Sequence, residues 1–380
     1  MHEQVRKYLC KLVDHGLIAH EADAQIYGLD DEIATNRDRV PAEVATLFEG
    51  LNINSLIVAK PEPRSWALIS TLALEHPEVI RPSDSESLTF IHDIPVVASF
   101  NPGEITRALG RRKACVVKGM GLVTTGSVSL EQAFVAFSSV CFACFVKYFT
   151  DTLMNLSGLG AAPRPTTARI DQCADLLSQL EPPALRNPLS GRIPVGEAQI
   201  LAAMDAAGKA MVRASLVDSF FGNISFRDAN LLYISQTGSS LDELPGHIDL
   251  ATMDGSSCCE ITSSSELSAH VKIYELSGHR AILHGHPRFS VIMSMARGPL
   301  QFGQTRSTGG IPVVAGEVGA GSKGLVHTLP SAMQAHHAAV VYGHGTFVSS
   351  ETSFRDALDR LALIERSCFE ECRETLFARR

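Results

Sequence analysis

The chain has no excess of positive charge: 33 Lys and Arg stand against 41 Asp and Glu, a formal net charge of −8 over 380 residues. It therefore offers no basic field to nucleic acid or to an anionic membrane surface. A disulfide framework is missing as well, since the nine cysteines are odd in number and follow no framework spacing. The opening stretch MHEQVRKYLCKLVDHG lacks the apolar core of a secretory signal, and together these two features point to a reducing cytoplasm. Long apolar runs are absent too. The most apolar stretch, Ala133 to Phe149, has 17 residues and contains Lys147, which is short for a membrane span and reads as a buried helix. These exclusions leave a small-molecule substrate as the expected partner, with no nucleic acid and no membrane.

What is present is ample core material, 45% apolar residues, in a chain longer than one hydrophobic core usually serves. Two domains are expected, and an internal repeat says where they lie. Lys60-Pro-Glu-Pro-Arg-Ser-Trp-Ala-Leu-Ile-Ser70 aligns without a gap on His284-Gly-His-Pro-Arg-Phe-Ser-Val-Ile-Met-Ser294, an offset of 224 residues. Lys113-Ala-Cys-Val-Val-Lys-Gly-Met-Gly121 aligns on His337-Ala-Ala-Val-Val-Tyr-Gly-His-Gly345 at the same offset. Between them Ile-Pro-Val-Val-Ala occurs twice, at Ile94 and at Ile311. The sequence thus predicts a tandem duplication: a first copy over 1–156, a Gly-, Pro- and Ala-rich linker over 157–195 with a short helix around Ile170 to Leu180, and a second copy over 196–380. In the first copy the positions matching His284, His286 and His344 are Lys60, Glu62 and Met120. Lysine, glutamate and a thioether do not replace three imidazoles around a borderline divalent ion, so this copy is expected to be metal-free.

In the second copy Ala281-Ile-Leu-His-Gly-His286 reads as a strand, and two histidines two residues apart leave it on the same face. That arrangement suits a shared metal ion, or two histidines at a strand end making ordinary hydrogen bonds. A second strand, Ala338 to Tyr342, runs into Gly-His-Gly, whose glycines let the backbone bring His344 close to a neighbouring strand. Three histidines leave a coordination position open, as catalytic sites require. Ser263-Ser-Ser-Glu266 precedes apolar residues at 267, 271 and 274, the spacing of one helical face. One account is a capping box, with Ser263 as N-cap and Glu266 reaching back. The other makes Glu266 a proton-transfer residue beside the metal, with the serine-lined helix start suited to an anionic group.

Gly222-Asn-Ile-Ser225 and Gln236-Thr-Gly-Ser-Ser-Leu-Asp-Glu-Leu244 could present amides and hydroxyls to an oxyanion, although turns use the same residues. Cys141-x-x-Cys144 and Cys368-x-x-x-Cys372 read as plain burial. Gly316-x-x-Gly-x-Gly321 is followed by no convincing nucleotide-binding helix. His270, His279, His327, His336 and His337 read as structural or solvated, and Arg288, whose counterpart Arg64 survives in the first copy, as structural.

The ordered set GNIS, TGSSLDEL, SSSE, HGH and GHG resembles the class II aldolase/adducin family over about Ala198 to Leu376, and the first copy shares the later half of the pattern. The resemblance implies an α/β fold: two class II aldolase-like α/β/α domains, each with a central, largely antiparallel sheet flanked by helices. It implies Zn2+, or another divalent metal such as Fe2+, Mn2+ or Co2+, on His284, His286 and His344, with Glu266 as acid/base. Asn223, Thr237, Gly238, Ser264 and Ser265 fall where the family grips a phosphate or the enediolate end of a ketose phosphate.

The implied activity is a lyase that cleaves or forms a carbon-carbon bond through a stabilised enediolate. A decarboxylase or Fe(II)-dependent oxygenase on the same scaffold, and a non-catalytic adducin-like interaction module, are the alternatives. Family members that handle sugar phosphates draw a tyrosine from the C-terminal tail as proton donor, and no tyrosine follows Tyr342 here. A homodimer or higher homo-oligomer is expected, the metal-free copy replacing a neighbouring subunit.

Overall fold

The computed structural model describes residues 1–180, 187–218, 221–254, 256, 262–318 and 321–378. The chain forms two compact units, Met1–Tyr148 and Phe149–Arg380. Each is an α/β body on one sheet in which a single pairing is parallel and the rest antiparallel.

In the first unit the strands are β1 (Ala24–Leu29), β2 (Ile33–Thr35), β3 (Ser55–Ala59), β4 (Val79–Ile80), β5 (Ile94–Val97), β6 (Ala114–Val117) and β7 (Gly121–Gly126). They lie in the order β2-β1-β3-β7-β6-β5-β4. Its helices are α1 (His2–Asp14), α2 (Ala42–Gly50), α3 (Pro63–Glu75), α4 (Ser85–Phe90), α5 (Pro102–Leu109) and α6 (Leu130–Leu156), with the boundary between units falling inside α6. Proline at the first position of α3 and α5 matches the helical φ where no N–H is needed. Asp84 and Asn101 cap α4 and α5 through their side chains. The core sets Val44 and Leu47 of α2 and Ile105 of α5 against Leu56, Val58, Val117 and Val123 of the sheet.

The second unit has α7 (Thr167–Gln179), α8 (Glu197–Arg213), β8 (Asn223–Asp228), β9 (Leu231–Ser235), β10 (Ile248–Thr252), α9 (Leu267–Leu276), β11 (Ala281–Gly285) and α10 (Arg288–Met295). There follow β12 (Thr305–Thr308), β13 (Ile311–Val314), α11 (Leu329–His336), β14 (Ala338–Val341), β15 (Gly345–Ser350) and α12 (Phe354–Phe377). The strand order is β10-β9-β8-β11-β15-β14-β13-β12. Ile273 and Tyr274 of α9 and Leu329 and Met333 of α11 close over Leu232, Ile282, Val341 and Phe347. At about 1.5–3 kcal/mol for each large apolar side chain removed from water, this cluster is what fixes the sheet under the two helices.

Apart from β10, the two sheets repeat one topology, pairing for pairing. The twin Ile-Pro-Val-Val segments form β5 and β13, each parallel to the next strand, with Val97 opposite Val117 and Val314 opposite Val341. Proline has no N–H to give, and both parallel ladders begin one residue after it, at Val96 and Val313. The β6–β7 and β14–β15 hairpins also match position for position, which keeps Met120 at the place of His344.

The next strand breaks the gapless alignment. Ala59 faces Leu122 on β7, whereas Gly285 faces Thr346 on β15. Ladder register therefore puts Val58 at the place of His284 and Lys60 at that of His286, a correction of two residues to the expected pair Lys60 and Glu62. A longer turn before α3 absorbs the difference. Glu62 instead caps α3, its carboxylate accepting the N–H groups of Arg64 and Ser65. Pro41 stands before α2 where Glu266 stands before α9, so the first unit carries neither the imidazoles nor the carboxylate.

Described parts of the segment expected as a linker pack on α12. Within the second unit α7 packs on that helix, and the Asn187 amide donates to Asp359 and to the Arg355 carbonyl. Residues 181–186 of that segment, and Gly319 of the glycine-rich stretch, lie outside the described residues. The apolar run falls in α6, which is long and apolar enough to cross a membrane by length and composition, but 94% of its apolar window is buried. Cys141, Cys144, Cys368 and Cys372 are buried, as expected.

Glu365 of α12 was not singled out by any sequence pattern. Its carboxylate accepts the N–H groups of Phe289 and Ser290, 2.8 Å each, at the start of α10, where Pro287 provides no side-chain cap. Burial pushes its pKa up to about 7, outweighing those two hydrogen bonds. The folded state thus holds the proton more tightly than the unfolded chain, for which the ordinary value is 4.5. The stability contribution of this group is full below about pH 4.5 and is lost as pH rises toward 7, by about 3 kcal/mol. Urea midpoints of wild type and Glu365→Gln, compared from pH 4.5 to 8, are expected to diverge in that sense. Parallel curves would show that the carboxyl titrates normally.

Candidate metal centre

Alternation along β11 sends His284 and His286 to one face. Their Nε2 atoms lie 2.9 Å apart. His284 Nδ1 is 3.2 Å from the Thr346 carbonyl, which can only accept. The proton therefore sits on Nδ1 and the lone pair on Nε2, the atom turned toward the cluster. His344 arrives from the β14–β15 hairpin, where Gly343 takes a left-handed φ of 59°. Gly345 must also be glycine: a Cβ there would lie 2.5 Å from the Gly285 carbonyl oxygen, 2.7 Å from His284 Cε1 and 2.8 Å from His286 Cδ2. The ligand atoms of the three histidines all fall within 4.8 Å of one another, and all three residues are buried.

Glu266 completes the cluster. Its Oε1 is 3.1 Å from His344 Nε2 and its Oε2 3.4 Å from His284 Nε2, while Asn223 Nδ2 donates to Oε2 at 2.6 Å. The capping-box account does not hold: α9 begins at Leu267, Glu266 makes no side-chain cap, and Ser263 Oγ donates to Asp249. Burial alone would raise the Glu266 pKa, but the neighbouring histidines and the Asn223 amide outweigh it and hold the carboxyl below its usual range. Burial depresses His284 and His286 far below the usual imidazole value. Two neutral imidazoles and an ionised carboxylate are the protonation states a divalent cation requires.

Aromatic rings fix the imidazoles. Phe347, directly opposite His284 across the β11–β15 ladder, stacks on it at 3.9 Å, and Phe221 stacks on His286 at 5.6 Å. Neither phenylalanine was identified from the sequence. Alternation on β15 could have placed Phe347 on the site face, but nothing local marked Phe221. Among the described residues, two buried polar atoms in this cluster, His286 Nδ1 and Asn223 Oδ1, have no hydrogen-bond partner. The donor set, its protonation and these orphaned atoms fit a bound divalent ion with a polar ligand beside it.

The remaining expected residues gather next to Glu266. Ser265 N donates to Thr237 Oγ1 at 3.3 Å, Gly238 follows with a φ of 68°, and the buried Ser264 accepts the Glu266 N–H. A bridge between Gln236 and Ser263 ties the two turns. His270 is structural as expected, buried with Nδ1 2.7 Å from Ser225 Oγ, and Arg288 pairs with Asp218 at 3.1 Å.

Comparison with known proteins follows the same residues. The class II aldolase and adducin N-terminal domain matches residues 202–371. The L-fuculose phosphate aldolase of Methanococcus maripaludis is 37% identical over 75 residues, 19% of this chain and 41% of that protein, so the chain spans about two fifths of that relative's length. Among solved structures, L-fuculose-1-phosphate aldolase from Thermus thermophilus is 23% identical, covering 45% of this chain and 92% of its own, with a TM-score of 0.38. YgbL from Klebsiella pneumoniae, described as a putative aldolase/epimerase/decarboxylase, is 20% identical, covering 48% and 89%, also at 0.38. Residues 202–371, which hold all three histidines and Glu266, thus match the class II aldolase and adducin N-terminal domain.

Proposed function

We propose that the second unit is a divalent-metal-dependent lyase acting on a small, oxygenated, anionic or phosphorylated substrate, in a cytoplasmic protein that assembles as a homodimer or larger homo-oligomer. The first unit, repeating the topology without the site, is read as a degenerate tandem copy retained for architecture. The observation that carries the proposal is the meeting of His284, His286 and His344 with the buried, ionised Glu266.

The three imidazoles would hold Zn2+ or a related divalent ion, with a position left open. Such an ion supplies Lewis-acid polarisation of a substrate carbonyl. Glu266 is placed to take a proton from the substrate hydroxyl or α-carbon and to return it, because its carboxylate is ionised and shielded from bulk water. Asn223 orients that carboxylate through its amide donor and turns its own Oδ1 free for substrate. The hydroxyls and amides of Thr237, Gly238, Ser264 and Ser265 are positioned to take an anionic group of the substrate.

The test is turnover by metal-reconstituted protein against ketose 1-phosphates, L-fuculose 1-phosphate among them, and against β-keto and hydroxy acids, with His286→Ala as blank. Zinc-, manganese- or cobalt-dependent release of an aldehyde from a ketose phosphate is the expected result. Activity that needs Fe(II) and oxygen, or turnover only of β-keto acids, would replace the lyase reading by an oxygenase or a decarboxylase.

A further inference from the structure

A second group of metal-ligating side chains lies at the other end of the strands that carry the first. His279 sits in the turn before β11, His337 is the left-handed residue that ends α11, and Glu351 follows β15. Their candidate ligand atoms all fall within 4.8 Å of one another, and the two imidazole rings are 4.5 Å apart. The backbone holding them is tied across the sheet: Ser349 N donates to the His337 carbonyl at 2.9 Å and Arg280 N to the Ser350 carbonyl at 2.8 Å. His279 lies five residues before His284 along one extended segment, about 16 Å at the rise of a strand, so one ion cannot serve both clusters.

Hydrogen bonding prepares His279 as a ligand. Ser349 Oγ donates to the His337 carbonyl at 3.3 Å and lies 2.7 Å from His279 Nδ1. With the hydroxyl proton directed to the carbonyl, Nδ1 must donate, and Nε2 keeps its lone pair. This is the arrangement found where a metal-bound imidazole is oriented by a partner on its other nitrogen. His337 carries two costs, a φ of 55° and, among the described residues, a buried Nδ1 with no hydrogen-bond partner. An unsatisfied buried nitrogen costs about 1–3 kcal/mol, which a cation would offset. Glu351 supplies the negative charge. Arg360, the other charged group near His279, opposes a cation and sets a limit on its affinity. The corresponding places in the first unit are Lys113 and Ser127, so the cluster belongs to the second unit alone.

We propose that His279, His337 and Glu351 form a second divalent-cation site, of zinc-type donor set, that clamps the ends of α11, β11 and β15. Two nitrogens and one carboxylate suit a borderline ion whose remaining coordination would come from water on the exposed Glu351 side.

The experiment is zinc stoichiometry by elemental analysis after equilibrium dialysis of the full chain. Wild type is expected to hold two ions per chain, His286→Ala one and His337→Asn one, with the double variant holding none. Asparagine tolerates the left-handed conformation while lacking the imidazole, so His337→Asn keeps the fold. Added zinc should raise the Tm of His286→Ala, and this rise should vanish in the double variant. Glu351→Gln, at an exposed position, is expected to weaken the residual zinc of His286→Ala at least tenfold. One ion in wild type that disappears in His286→Ala, or residual zinc indifferent to both His337→Asn and Glu351→Gln, would overturn the second site. The His286 background leaves the lyase proposal to be judged separately.

Discussion

His286→Ala, made in His337→Asn protein so that a single cluster is in play, is expected to lose its divalent ion together with its turnover. The variant leaves two imidazoles where the geometry provides three. Changing even the outer partners of a metal ligand costs about 10–100-fold in affinity, so deleting a ligand should cost more than about 100-fold. The fold should survive, because His286 lies just beyond β11 and its neighbours Leu283 and Phe347 hold the sheet without it. Circular dichroism and Tm separate loss of metal from loss of structure. Unchanged metal content in a folded variant would remove the site.

Glu266→Gln should separate binding from chemistry. The amide matches the carboxylate in shape but cannot accept a proton at neutral pH. Metal content is expected to stay as in wild type while kcat falls by about 10²–10⁴, the usual share of a general acid or base. KM should change far less, since Glu266 acts on the reacting proton and the substrate's anionic group is assigned to the turns at Thr237 and Ser264. A variant that keeps its kcat would exclude proton transfer by Glu266. Loss of metal without other change would make it a ligand instead.

Much of this was legible from residue types and spacing. His-x-His at a strand end, Gly-His-Gly after a second strand, and the repeated Ile-Pro-Val-Val segments carried their own structural meaning, because strand alternation and glycine's conformational range are local properties. Glu266 was legible only as a choice between a cap and a functional carboxylate. The start of α9 at Leu267 removed the cap, and the meeting of β8 with β11 brought Asn223 to the carboxylate from 43 residues away.

The sequence by itself determined the three imidazoles, the glycines that admit them, and the absence of their counterparts from the first unit. Tertiary structure decided which residues stand in their place there, since a shift of two in ladder register exchanges Lys60 and Glu62 for Val58 and Lys60. It also decided that His279, His337 and Glu351 meet, although as isolated residues the two histidines read as structural or solvated. Periodicity and propensity are written along the chain, but register and burial come from many strands and helices settling together. Groups brought together only by that settling leave no spacing to read.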